Sequence, residues 1–186
     1  MDNYPYIIAS LPDLALDFAK HDYDYSLIRE NIFDCLDQTD RRLVEWLETG
    51  FDENNLNKDF YRSCARCGNK FIRDYFAYDF ALRTEKVAYL EKRETEQDFE
   101  EKEALRKAFA VSNILERERQ ISSVTWNKIE DIVLFDLFNI NPVLAFLAKM
   151  HIISRWSSLD KATGEKLFAQ FVEEINNTYN KNKINQ

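Results

Sequence analysis

A chain of 186 residues can bury a hydrophobic core without disulfides or metals, and 45% hydrophobic with 31% charged residues is the composition of a folded domain. Three glycines and three prolines are too few turn formers for a many-stranded β protein. The formal charge of -8 opposes adhesion to nucleic acid phosphates or an anionic membrane, and no uninterrupted apolar run of about 18 residues spans a bilayer.

Tyr4 to Leu11 (YPYIIASL) reads as a short extended segment or buried entry strand, after which Pro12 opens the first helix. Asp2, Asp13 and Asp17 break the pattern of a secretion signal, and three cysteines fit a reducing cytoplasm. Ser26 to Leu36 predicts a helix whose apolar stripe is Leu27, Ile28, Ile32, Cys35 and Leu36. A second helix runs from Thr39, as N-cap, through Leu43, Val44 and Leu47 to Gly50 at C′, and residues 52–57 are a polar loop.

From Lys58 the pattern is helical for a long way, with Phe60, Cys64, Cys67, Phe71, Tyr75, Tyr78 and Leu82 at steps of three or four. No glycine or proline falls between Gly68 and Pro142. Residues 85–103 are strongly charged, either an exposed connection or the tip of a projecting hairpin over residues 58–121, reversing near Thr95 to Glu100. A helix from Glu101 to Ile121 follows, with Leu105, Ala108, Phe109, Ser112 and Leu115 on its buried face. Ser122 and Ser123 mark a boundary before an amphipathic segment carrying Trp126, Ile129, Ile132, Val133 and Leu137. Asn141 and Pro142, as N-cap and N1, start a helix to Trp156. Ser158 or Asp160 caps a last one with Leu167, Phe168, Phe171, Val172 and Ile175, and residues 176–186 form a polar tail. The whole is expected to be all-α: one domain over residues 1–175, a helical bundle with long antiparallel helices.

Chemistry is sparse in this pattern. Cys64-Ala-Arg-Cys67 has metal or redox spacing, but Cys35, His21 and His151 do not complete a zinc knuckle, and two small side chains on one helix face pack well. Two histidines without a nucleophile elbow, three isolated glycines, and no Glu-x-x-His pair remove the hydrolase, nucleotide-binding and di-iron readings by those routes. No enzyme, cofactor or metal is expected. Asn69 with Arg73 and Asp79 with Arg83 stand i, i+4 among Tyr75 and other aromatics. They read either as surface pairs or as a partner-binding face anchored by Arg73 and the tyrosines. Trp156 reads as core, with Arg155 beside the helix C-terminus.

YIIASLPDL at 6–14, NKFIRDYFAYDFALR at 69–83, NILERERQ at 113–120 with Trp126, and LAFLAKMHIISRWSSLD at 144–160 with Gly164 resemble a small bacterial family associated with V-type ATPase gene sets, over Tyr6 to about Ile175. That family is similar to the funnel-like adapter of the V-type ATPase central stalk. The resemblance implies a non-catalytic, all-helical adapter joining the rotor shaft to the membrane ring that carries ions. It implies a cytoplasmic place beside the inner membrane, reached through other proteins of the ATPase. Arg73, Tyr75, Arg83, Arg155 and Trp156 lie in the matching segments. The alternative is a freestanding helical interaction or regulatory protein, as a homodimer through the long hairpin.

Overall fold

A computed structural model describes residues 4–18, 23–159 and 169–173 of the chain. Among them every regular element is helical: α1 (Tyr4–Ser10), α2 (Tyr25–Asp34), α3 (Gln38–Thr49), α4 (Lys58–Ala65), α5 (Lys70–Leu90), α6 (Lys102–Phe109), α7 (Ile114–Val133) and α8 (Asn141–Ser157). A single 3₁₀ turn, Glu53–Asn55, sits in the loop before α4. The all-α expectation holds.

The core forms around α8, in which residues from Asn141 to Trp156 are buried on nearly every side. A helix apolar all round yet shorter than a membrane span must be enclosed by its own chain. Helices α1, α2, α3, α5 and α7 all pack against it. A second, smaller cluster joins Tyr78 of α5, Leu105, Ala108 and Phe109 of α6, and Ile121 of α7.

The N-terminal segment departs from expectation. Tyr4 to Ser10 is a helix, not extended chain, with Pro5 in the first turn where its missing N–H costs nothing. Ile7 is buried, and Tyr4, Ile8 and Leu11 lean on the core at helical spacing. Pro12 opens no helix. Beyond it the chain has no regular structure, and half-buried Leu14, Leu16 and Phe18 alternate with exposed Asp13, Ala15 and Asp17. Phe18 takes φ 57° and sets its ring edge-on to Trp156, centroids 5.0 Å apart.

In α2 the stripe is narrower than the sequence suggests, because Leu27 and Cys35 face solvent while Ile32 and Leu36 are buried. The N-cap of α3 is Asp37 rather than Thr39: its Oδ1 accepts from the Thr39 and Asp40 N–H groups at 2.7 and 2.9 Å. Gly50 is the right-handed C-cap of α3 (φ −77°), not a left-handed C′ residue. Space is what demands glycine there, since a Cβ would lie 2.2 Å from the Phe76 ring and 2.9 Å from that of Phe60.

The glycine- and proline-free stretch holds three helices. Lys92 makes the first reversal with φ 56°, and the N–H groups of Lys92 and Arg93 bond back to Tyr89 and Ala88 carbonyls at 3.1 and 3.0 Å. That is a Schellman closure made without glycine. The second break is at 110–113, inside the helix expected over Glu101 to Ile121. Asn113 caps α7 there by accepting from the Glu116 N–H at 3.1 Å. The Ser122–Ser123 boundary is absent, both residues lying inside α7, and α7 ends at Val133, short of Leu137. A bare 58–121 hairpin is thus replaced by α5, α6 and α7 packed around the smaller cluster. Ile140, not Asn141, is the cap of α8, and Asn141 and Pro142 occupy its first turn. Residues 169–173 are helical with Phe171 and Val172 exposed rather than buried. Leu167, Phe168, Ile175, the Asp160 cap and the 176–186 tail lie outside the described residues.

One carboxylate of the charged region is buried, contrary to a fully solvated face. Glu85 is 1% exposed and accepts hydrogen bonds from Thr95 and Arg106, the latter also pairing with Glu94 at 2.6 Å. Burial pushes its carboxyl up. The bonds from Thr95 and Arg106 and the nearby Arg106 and Lys102 charges outweigh that, leaving it below its ordinary value of 4.5.

Two measurements follow from these contacts. Gly50→Ala should lower stability by about 1–3 kcal/mol through overpacking against Phe76. Gly68→Ala, with nothing within 4 Å of its Cβ, should stay within about 0.5 kcal/mol of wild type in urea unfolding. Because the folded Glu85 carboxyl lies below its unfolded value, its contribution is complete above pH 4.5 and is lost as pH falls through the folded value. Urea midpoints of wild type and Glu85→Gln should differ at pH 7 and converge on acidification below pH 4.5.

Candidate functional site

Four of the seven residues singled out in the sequence meet in one polar cleft. Tyr75, Asp79 and Arg83 recur every four residues on one face of α5, and the C-terminal end of α8 brings Arg155 opposite them across a cavity of about 350 Å³. Asp79 Oδ2 accepts from Tyr61 Oη at 2.6 Å and from Arg83 Nε at 3.0 Å, and Arg83 also reaches Glu53 at 3.4 Å. Across the cleft, Glu118 of α7 lies 3.7 Å from Arg155 and 3.9 Å from Lys86. Arg155 Nη2 donates to Ser122 Oγ at 3.1 Å, and the Trp156 indole donates to the same oxygen at 3.1 Å.

The electrostatics of this cleft are balanced. Arg83 faces Asp79 and Glu53, and Lys86 and Arg155 share Glu118, so three cations meet three carboxylates. Burial and then the Arg155 charge push His151 down to about 4, leaving a neutral imidazole at pH 7 stacked on Phe51 at 4.0 Å. Burial first, and the Asp79 charge next, push the Tyr75 hydroxyl up and keep it protonated. The arrangement ties α5, α7 and α8 together through fixed pairs.

The other predicted residues stand elsewhere. Asn69 caps α5, accepting from the Ile72 N–H at 2.9 Å, and its amide donates to Asn141 Oδ1 at 2.8 Å. It therefore makes no side-chain pair with Arg73, which donates to the Cys67 carbonyl at 3.3 Å and lies 3.4 Å from Asp74. The expected Asp79–Arg83 pair does form. Trp156 is buried, as core. Cys64 and Cys67 are buried too, and burial pushes the Cys64 thiol up to about 11, away from the thiolate that metal or redox chemistry uses. His21 lies outside the described residues. Among the described residues no group of three His, Cys, Asp or Glu side chains is placed to hold a metal ion.

Two apolar surfaces go beyond the sequence reading, whose candidate site residues include only Arg73 at the edge of the first. A groove of about 750 Å³ runs between α4 and α5, floored by Tyr61, Phe76 and Phe80 and rimmed by Lys58, Arg62 and Arg73. Beyond the end of α7, Leu134, Phe135, Leu137 and Phe138 form a knuckle exposed by 63, 88, 64 and 73%. Leu137, expected on a buried helix face, is therefore at the surface. The knuckle is held from beneath by Asp136, which accepts from Asn139 and Asn141 at 2.8 and 3.0 Å and lies 3.7 Å from Lys70. A signal for it was present in the run LFDLFN, whose Asn139 accepts from the Asn141 backbone N–H at 2.9 Å, a turn-forming bond that competes with helix.

Ser122 is the test of the cleft's structural role. Ser122→Ala leaves the buried Trp156 N–H without its acceptor and should cost about 1–3 kcal/mol in urea unfolding. Arg155→Ala should cost less, because its side chain is half exposed and water replaces its partners.

No match was found among curated proteins or among solved structures. Residues 92–179, just under half of the chain, match the family described as "Protein of unknown function (DUF2764)", and the matched stretch contains α6, α7, α8, the knuckle and the Arg155 side of the cleft.

Proposed function

We propose that this chain is a non-catalytic adapter of a bacterial V-type ATPase, joining the rotor shaft to the membrane ring. The observation that supports a binding role most directly is the knuckle. Four large apolar side chains within five positions face water on a backbone braced by Asp136. Each would gain about 1.5–3 kcal/mol on full burial, so a partner protein that covers them gains substantially. The polar cleft, with every cation paired to a carboxylate, supports a mechanical rather than a chemical role.

The identity of the complex rests on the resemblance of the segments around 6–14, 69–83, 113–120 and 144–160 to the ATPase-associated family. Among the described residues no helix is long and apolar enough to cross a membrane; on the same resemblance, the chain would reach the inner membrane from the cytoplasmic side through other ATPase proteins. Asn69, Arg73, Tyr75, Asp79, Arg83, Arg155 and Trp156 divide in this reading. Arg73 sits at a surface open to partners, and the remainder brace the helices that present those surfaces.

Affinity capture of the tagged chain at native expression tests the proposal. Wild type should recover ATPase shaft or ring proteins, and Phe135→Asp with Phe138→Asp should lose them while keeping wild-type helicity and urea midpoint. Recovery of no ATPase protein by wild type overturns the reading.

A further inference from the structure

The α4–α5 groove differs from the rest of the molecule in charge. Its lining holds no carboxylate, whereas four other clefts among the described residues each carry at least one. In a chain with 33 acidic and 25 basic residues, an apolar floor with a Lys58, Arg62 and Arg73 rim is a local inversion of sign. Arg62 lies 3.4 Å from the well-exposed Asp59 and Arg73 3.4 Å from the half-exposed Asp74, both carboxylates standing outside the lining. Such a floor and rim fit an amphipathic helix that has aromatic and aliphatic anchors at i, i+3/i+4 spacing and acidic flanks.

The chain contains a segment of that description. Residues 169–173 are helical and expose Phe171 and Val172 by 60 and 40%. In the sequence, Leu167, Phe168, Phe171, Val172 and Ile175 share helical spacing, flanked by Glu165, Glu173 and Glu174. Within one chain the groove is open while Phe171 and Val172 face water, so neither surface covers the other. Two copies related by a two-fold axis can cover both at once, with two identical helix-in-groove contacts.

We propose that the chain self-associates as a closed dimer, in which the helical segment carrying Phe171 and Val172 of each copy seats in the α4–α5 groove of the other. The contact is distinct from the knuckle, so it stands or falls apart from the adapter reading.

Sedimentation velocity on the full chain tests it by complementation. Wild type should sediment as a dimer. Phe80→Asp, which spoils the groove at a half-exposed position, and Phe171→Asp, which spoils the helix, should each sediment as a monomer with unchanged helicity. An equimolar mixture of the two variants should regain a dimer, because one intact groove still meets one intact helix. If Phe80→Asp fails to fold, the Lys58→Glu, Arg62→Glu double variant replaces it and should raise the dissociation constant at least tenfold. A monomeric wild type, variants that remain dimeric, or a mixture that stays monomeric overturns the proposal. Leu134 to Phe138 is untouched in every variant, so capture of ATPase proteins through the knuckle reads out the adapter role separately.

Discussion

Helix α8 has almost no solvent face, and the fold is what encloses it. From Val143 to Ile153 its apolar residues are buried with little regard to helical phase. One partner helix cannot cover a cylinder, so α1, α2, α3, α5 and α7 must converge on it from several sides. The enclosure is closed at both ends by polar contacts that specify register. At the start, Asn141 links Asn69 of α5 to Asp136 of the knuckle. At the end, Ser122 of α7 receives both Arg155 and Trp156. Each is a buried or half-buried polar group with a defined partner, so sliding α8 by one turn would orphan it.

Strongly periodic segments were legible. The presence of α2, α3 and α8 follows from apolar spacing and capping residues, although their caps were misplaced, and the burial of Val44, Leu47, Phe71, Ile129 and Trp156 follows from the spacing. What was not legible was where helices break without glycine or proline. Asn69 and Asn113 each cap a helix by accepting a backbone N–H, so the continuous pattern from Lys58 onward hides the starts of α5 and α7. Lys92 ends α5 in a left-handed conformation that a sequence reader assigns to glycine. Its N–H and that of Arg93 satisfy the last carbonyls of α5, offsetting the steric cost. At the N-terminus, Ile7, Ile8 and Pro5 carry β and turn preferences that docking onto α8 overrides.

The candidate site was half legible for a related reason. Tyr75, Asp79 and Arg83 share a face because of their spacing on one helix, which a sequence displays. Arg155 joins them only through the crossing of α5 and α8, which it does not. Arg73 falls two positions before Tyr75, and a step of two on a helix turns the side chain toward a different surface, that of the groove.

The distribution of charge separates the parts that hold the molecule together from those that can act on others. In the cleft, Asp79, Arg83, Glu118 and Arg155 direct their electrostatics at one another. A ligand entering there would have to displace contacts already made at 3.0 to 3.9 Å. At the knuckle and in the groove the reverse holds. The four knuckle side chains are left in water above the Asp136 brace, and in the groove Phe80 is half exposed over a buried Phe76. An exposed apolar surface gains from association without first losing internal bonds. In the proposed reading, binding therefore belongs to the aromatic edges of the molecule, and the polar cleft is the joint that ties α5, α7 and α8 together.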